Sequence, residues 1–235
     1  MASALTCEIG GWLVGHRKAA SGEGHQGSRQ RMVARLRDSG IRDPRVLEAL
    51  RSVPRHCLVP EALQHRAYEE SALPIGERQT ISAPLVVAVM TQSLALLGDE
   101  TVLEVGTGSA YQAAILSRLA ERVISVERIP RLASRARSAL DALGVSNALV
   151  FLGDGSRGWR SEAPYDAIVV TAAALSVPEP LLDQLAPGGR LVGPFGERDE
   201  QALLRITRRP DGEFEREQLG RCRFVDLVGE HGWAA

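Results

Sequence analysis

Of 28 basic residues in this 235-residue chain only Lys18 is lysine, and 29 acidic residues bring the net charge to about minus one. A chain so balanced has no general attraction for a polyanion, so nucleic acid is not an expected partner. The arginines are spread along the sequence and form no patch. There are three cysteines, Cys7, Cys57 and Cys222. Their odd number and wide spacing exclude a disulfide framework, and the absence of any CxxC or Cys/His cluster excludes a zinc site, so no metal is expected. No apolar run is long enough to span a bilayer, and the first residues carry no basic group ahead of their short apolar stretch, as a secretory leader would. A soluble, cytoplasmic protein without a membrane partner is therefore expected, and a monomer is the simplest form.

What is present, 44% hydrophobic side chains, suffices for one large core. Residues 1–28 are rich in Gly, Ser and Ala without sustained period, and read as a disordered extension. Order is expected from about Arg29, as a single domain over 29–235 with a helical subregion over about 29–80. RQRMVARLRDSG places Met32, Val33 and Leu36 at helical spacing, and DPRVLEALRSVP restarts with Asp43 as cap and Pro44 in the first turn. The eight arginines between Arg29 and Arg55 read as a solvated face.

Beyond residue 80 short apolar runs alternate with helical stretches. SAPLVVAVMTQSLALL predicts a buried helix; TVLEVG, RVISVE, ALVFLGD, YDAIVVTAA and GRLVGPF predict strands, with YQAAILSRLA and LASRARSALDALG as helices between them. ALLRITRR and EFEREQLGRCRFVDLV, separated by Pro210-Asp211-Gly212, predict a terminal hairpin. The expectation is an α/β, Rossmann-like fold: seven strands, mostly parallel, with an antiparallel edge hairpin.

In such a sheet a ligand sits where the first strand hands over to its helix, here LEVGTGSAYQAAIL. Gly106 and Gly108 permit a sharp bend, and the helix start offers unpaired N–H groups to an anion. A nicotinamide site would need G-x-G-x-x-G or A, but Tyr111 stands at the last position; a phosphate loop would need a lysine, and none is near. What remains is Glu104 before the first glycine, Glu127 ending the next strand, and Asp154 after the third. Three carboxyl groups at successive strand ends suit a ligand with an amine or sulfonium, a ribose diol and an adenine amino group. S-adenosyl-L-methionine has these parts.

GTGSAYQAAIL, VISVE, GDG followed by Trp159, PYDAIVVTAA, LAPGGRLVGPFG and the upstream YEESALPIGERQTIS together resemble the protein-L-isoaspartate O-methyltransferases, from about Met32 to Val228. An E-x-G-x-G alone is shared by many methyltransferases; QTIS ahead of the first strand's helix and VTAA after the fourth strand are specific. The resemblance implies methyl transfer from S-adenosyl-L-methionine to the α-carboxylate of L-isoaspartyl residues in damaged proteins and peptides, leaving S-adenosyl-L-homocysteine and an ester that closes to a succinimide. It also implies roles. Ser82 would orient the carboxylate, and Gln79, Thr80 and Ile81 would cover cofactor and substrate. Glu104 with Gly106, Thr107, Gly108 and Ser109 would surround the methionine part, and Glu127 would take the ribose hydroxyls. Asp154 and Gly155 would face adenine, and Thr171 and Ala172 would line the opposite wall.

Each has a plainer rival. Ser82, ahead of Ala83 and Pro84, stands where a helix cap belongs; Glu104 could cap a loop and Asp154 could be a turn residue. His56, His65, Tyr111 and Trp159 read as surface or packing residues. Two rival functions stay open, modification of one dedicated peptide and non-catalytic cofactor binding. The chain departs from the family pattern at Arg78, where a small glycine is usual, and at Ala110, which suits a tight turn only if its φ is negative. Arg78 is expected to point outward.

Overall fold

In the computed structural model, residues 23–234 are described. Helix α1 (Glu23–Asp38) buries Met32, Val33 and Leu36, and α2 (Pro44–Ser52) follows. The Asp43 carboxylate accepts the Arg45 N–H at 2.8 Å, with Pro44 in the first turn, where its missing donor costs nothing. Helix α1 already begins at Glu23, ahead of the expected Arg29; the rest of the expected extension, residues 1–22, lies outside the described residues.

Two 3₁₀ turns, Arg55–Leu58 and Glu61–Arg66, lead into a small antiparallel hairpin, β1 (Leu73–Gly76) and β2 (Gln79–Ile81). Its turn residues Glu77 and Arg78 have φ of 52° and 56°. Positive φ at both central positions is what a two-residue hairpin turn demands, and glycine would adopt it without strain. Arg78 is exposed at this tip.

Then come α3 (Pro84–Ser93), β3 (Thr101–Val105), α4 (Tyr111–Leu116), β4 (Arg122–Glu127), α5 (Pro130–Ala142), β5 (Ala148–Leu152), β6 (Tyr165–Val170), α6 (Glu179–Asp183), β7 (Leu185–Gly196), β8 (Gln201–Arg208) and β9 (Phe214–Cys222). The strand order is β5-β4-β3-β6-β7-β8-β9; the first five run parallel and β8 is antiparallel to both neighbours. The period of two divides the core. Val102, Val123, Ala167 and Val192 pack on the face covered by α3, α4 and α5, whereas Leu103, Ile124, Ile168 and Leu191 pack on the other with Leu181 of α6 and Leu227. Among the described residues no helix is long and apolar enough to cross a membrane.

Two segments differ from expectation. The helix begun by YQAAIL closes at Leu116, where the Ser117 hydroxyl turns onto the Ala114 carbonyl at 2.9 Å. The run EFEREQLGRCRFVDLV is not one strand: β9 ends at Cys222, and the Gln201 side chain takes the Phe224 N–H at 2.9 Å. The chain then crosses to the carboxyl end of β6, where Ala173 N–H donates to the Val225 carbonyl and Leu227 N–H to the Ala173 carbonyl, both at 2.7 Å.

Ala110, ahead of α4, has φ of 68° and is fully buried. The negative φ that would make alanine comfortable here is not what the turn uses. The left-handed conformation costs an L residue roughly 1–2 kcal/mol, and a branched side chain would add buried overlap. Ala110→Val is expected to lower stability by about 2 kcal/mol, roughly 4–8 °C in melting temperature for a chain of this length, whereas Ala110→Gly, which relieves φ but loses a buried methyl and stiffness of the unfolded chain, should stay within about 1 kcal/mol. Differential scanning calorimetry of both variants checks this.

Candidate active site: a cleft at the carboxyl ends of the strands

In β3 and β4, residues 104, 125 and 127 fall on one face by the strand period, and the parallel register sets Glu104 beside Ser125. The Ser125 hydroxyl donates to Glu104 Oε2 and is itself joined to the Thr107 hydroxyl. Glu104 Oε1 has no hydrogen-bond partner, although the side chain is wholly buried. Burial, reinforced by the nearby Glu127 charge and only partly offset by the Ser125 bond, pushes the Glu104 carboxyl up to about 8.

Glu127 is nearly buried and holds the loop from beneath: its Oε2 accepts the Gly108 N–H at 2.8 Å and its Oε1 the Ile129 N–H at 2.9 Å. The loop is also locked from the side, since the Thr171 hydroxyl bonds the carbonyls of Val105 and Gly106. Gly106, with φ of 99°, leaves so little room that a Cβ there would come within 2.4 Å of Thr171 Oγ1. Glycine at this position is a requirement of close approach as well as of φ.

Much of the anion cradle expected at this loop is already occupied. The N–H groups of Gly106, Gly108, Ala110 and Tyr111 are taken by the Val126 carbonyl, Glu127, the Thr107 carbonyl and the Ser109 hydroxyl. With two carboxyl groups beneath it, the bend favours a cation.

One open cleft of about 820 Å³ brings the expected residues together. Gln79, Thr80, Ile81 and Ser82 line one side; Glu104, Gly106, Thr107, Gly108, Ser109 and Glu127 line the floor; Gly155, Thr171 and Ala172 line the far side. Ser82 is not a helix cap, since Ala83 occupies that position without a side-chain bond. Asp154 is the exception. It does not line the cleft, because its carboxylate is held by the terminal segment: Oδ2 accepts the Glu230 N–H at 2.8 Å, and Oδ1 accepts the Ser156 N–H and hydroxyl at 2.9 and 2.7 Å. Burial would raise Asp154, but these donors outweigh it and hold the carboxyl below its ordinary range.

Two groups of lining residues, and one residue behind them, were given no site role from the sequence. Val225, Asp226, Leu227 and Val228 close one side, brought there by backbone bonds to Ala173 that no local pattern announces. Tyr111 and Gln112 stand in the wall with Tyr111 Oη and Gln112 Oε1 unpartnered; the polar Gln112 at the start of an apolar helix was the available signal. Arg55, behind the wall, is wholly buried. The remaining candidates are packing groups: His56 stacks on His25 with centroids 4.1 Å apart and bonds the Tyr68 hydroxyl at 2.7 Å, and Trp159 stacks on Phe151. Among the described residues no cluster of side chains could hold a metal.

Residues 27–232 match the family described as Protein-L-isoaspartate(D-aspartate) O-methyltransferase. Protein-L-isoaspartate O-methyltransferase 1 of Syntrophobacter fumaroxidans is 56% identical over 209 residues, 88% of this chain and 97% of that protein. Among solved structures, a protein-L-isoaspartate O-methyltransferase superposes with a TM-score of 0.77 at 28% identity over 87% of this chain and 67% of that one. A Plasmodium falciparum protein described as a protein-L-isoaspartate O-methyltransferase, in complex with S-adenosyl-L-homocysteine, superposes with a TM-score of 0.74 at 25% identity, over 85% of this chain and 98% of that one.

The displaced Glu104 titration has a consequence for stability. Its carboxyl moves from 4.5 to about 8 on folding, so between those values the folded chain retains a proton that the unfolded chain sheds. The stability this confers is complete below pH 4.5 and is lost as pH rises through 8. Glu104→Gln, neutral at every pH, should flatten the decline of melting temperature between pH 5 and 9 and exceed the wild type above pH 8. Thermal denaturation across that range checks both.

Proposed function

The chain belongs to the protein-L-isoaspartate(D-aspartate) O-methyltransferase family, and on that premise we propose that its cleft transfers a methyl group from S-adenosyl-L-methionine to the α-carboxylate of L-isoaspartyl residues in damaged proteins and peptides. The ester so formed opens repair through a succinimide. The observation that carries this reading is the placing of Ser82 in the same cleft as Glu104 and Glu127, with the serine released from any capping duty.

The lining residues fit the cofactor on their own chemistry. A buried carboxyl with an unpartnered oxygen suits an ammonium or sulfonium, and Glu127, although it already holds two amides, keeps lone pairs for a diol. Gly106 and Gly108 bring the backbone close, and the hairpin residues Gln79 to Ile81 cover the ligand. Gly155 fits the adenine end, whereas Asp154 would have to release the terminal segment before reaching it. Bound there, S-adenosyl-L-methionine supplies an electrophilic methyl group that a carboxylate accepts without losing a proton.

The demand on the protein is consequently positional. No general base is required, and among the described residues no histidine lines the cleft. Ser82 would donate its O–H to the carboxylate and fix which oxygen points inward; Met90, Val87 and Ile81 would exclude water. Alignment of two bound reactants can lower a barrier by about 7–11 kcal/mol. A cytoplasmic monomer with no partner beyond its isoaspartyl substrates completes the reading, supported by the lack of any disulfide at Cys57 or Cys222 among the described residues and by the near-zero net charge.

Transfer of tritiated methyl to an isoaspartyl peptide, and not to its normal aspartyl counterpart, is the expected result; equal labelling of both would exclude isoaspartate specificity, and cofactor binding without labelling would indicate a non-catalytic protein. Ser82→Ala should reduce kcat/KM for the isoaspartyl peptide by roughly tenfold or more while leaving affinity for S-adenosyl-L-homocysteine within about twofold, the loss of one charge-assisted bond being worth about 1.5–3 kcal/mol. Because Glu104 gains its charge as pH rises through 8, preference for the sulfonium cofactor over its neutral product should increase between pH 6 and 9. Titration calorimetry with each ligand measures it.

A further inference from the structure

The 3₁₀ turn Arg55–Leu58 carries a cation into the interior. Arg55 is fully buried; its Nε donates to the Ala67 carbonyl and its Nη2 to the Ser82 carbonyl, both at 2.7 Å. The guanidinium carbon lies 4.7 Å from the centroid of the Tyr111 ring. Nη1 makes no hydrogen bond of ordinary geometry, although the nearby Tyr111 hydroxyl favours the charge, and among the described residues no carboxylate is paired with the group. Ser82 and Tyr111, both touched by this guanidinium, line the cleft.

An isolated buried charge is expensive, and proteins ordinarily supply a counter-ion or replace the group by an apolar one. Burial lowers Arg55 to about 10, with Tyr111 and Tyr68 resisting the shift, so the group stays protonated at neutral pH. The bonds to two carbonyls explain why a donor is needed there. They do not explain why it should be charged.

Resting on the reading of Ser82 as the seat of the isoaspartyl carboxylate, we propose that Arg55 is the positioning and selectivity residue for that carboxylate: its unpaired charge, one side chain behind the wall, favours an ionised acid over a neutral group, and its Nη2 bond fixes the Ser82 backbone. The substrate then provides the counter-ion that the fold omits. The methyl ester is neutral, so the attraction that drew the substrate in is absent for the product, which leaves more easily. The cleft is thereby divided, with Glu104 and Glu127 facing the cationic cofactor and Arg55 facing the anionic substrate. Because the carboxylate loses its charge as the ester forms, Arg55 strengthens substrate binding more than the chemical step, and its removal should appear in KM rather than in kcat.

The test compares an isoaspartyl peptide, as substrate, with the same peptide bearing an α-carboxamide in place of the carboxylate, as competitive inhibitor, in the wild type, Arg55→Gln and Arg55→Lys. The wild type should bind the carboxylate at least about tenfold more tightly than the carboxamide. In Arg55→Gln, KM should rise about tenfold with kcat changed less than threefold and affinity for S-adenosyl-L-homocysteine held within twofold, and the carboxylate preference should fall toward one. Arg55→Lys keeps the charge but not the fork, so it should retain the preference even where its melting temperature drops. The proposal is overturned by a wild-type preference near one, by equal weakening of both peptides in Arg55→Gln, or by loss of the preference in folded Arg55→Lys. Should Arg55→Gln fail to fold, the wild-type ratio and Arg55→Lys still decide. Absence of methyl transfer by the wild type would instead overturn the functional reading, which is a separate result.

Discussion

Two carboxyl groups are brought close together at the ends of adjacent parallel strands, both nearly buried, and the cleft is organised around that pair. Glu104 and Glu127 lie on one face because the strand period puts them there and the β3–β4 register brings them together. The two are held unequally: Glu127 is stabilised by two backbone N–H donors, while Glu104 receives one hydroxyl and is left with a free oxygen. The first therefore anchors the loop. The second is suited to wait, protonated, for a cation.

The rest of the site serves to hold that pair in place. Thr171 clips the loop to the end of β6, glycine at 106 allows the clip to close, and Ala110 accepts a left-handed conformation so that α4 can start beneath it. The terminal segment is tied down by Ala173 and by Asp154 through Glu230, which makes the cleft wall depend on residues far apart in the chain. On the substrate side Arg55 links three separate segments through Ala67, Ser82 and Tyr111. A change in any of these connections alters the shape of the cleft without touching a ligand.

Much of this was legible in advance. The alternation of apolar runs after residue 80 named the strands of the sheet, Asp43-Pro44 marked a helix start, and Gly106 with Gly108 located the bend. Those signals are local, fixed by periodicity, φ and capping. What could not be read in advance depended on competition between distant groups. Asp154 occupies a strand end as expected, yet its carboxylate is claimed by amides of residues 156 and 230. The loop N–H groups looked free for an anion, yet Glu127 and neighbouring carbonyls take those of Gly106, Gly108 and Ala110. Arg55 looked like one arginine of a solvated face and is instead entirely enclosed.

By itself the sequence determined the strand and helix order, the glycine bend, the family resemblance and the residue types that could meet a sulfonium nucleoside and a carboxylate, because each of these is written in short-range spacing. Only the tertiary structure decided which of the acidic groups face the cleft, which serine is released from capping, and where the enclosed Arg55 guanidinium stands. Those outcomes follow from burial and from which donors reach which acceptors across the fold, and no window along the chain contains both partners.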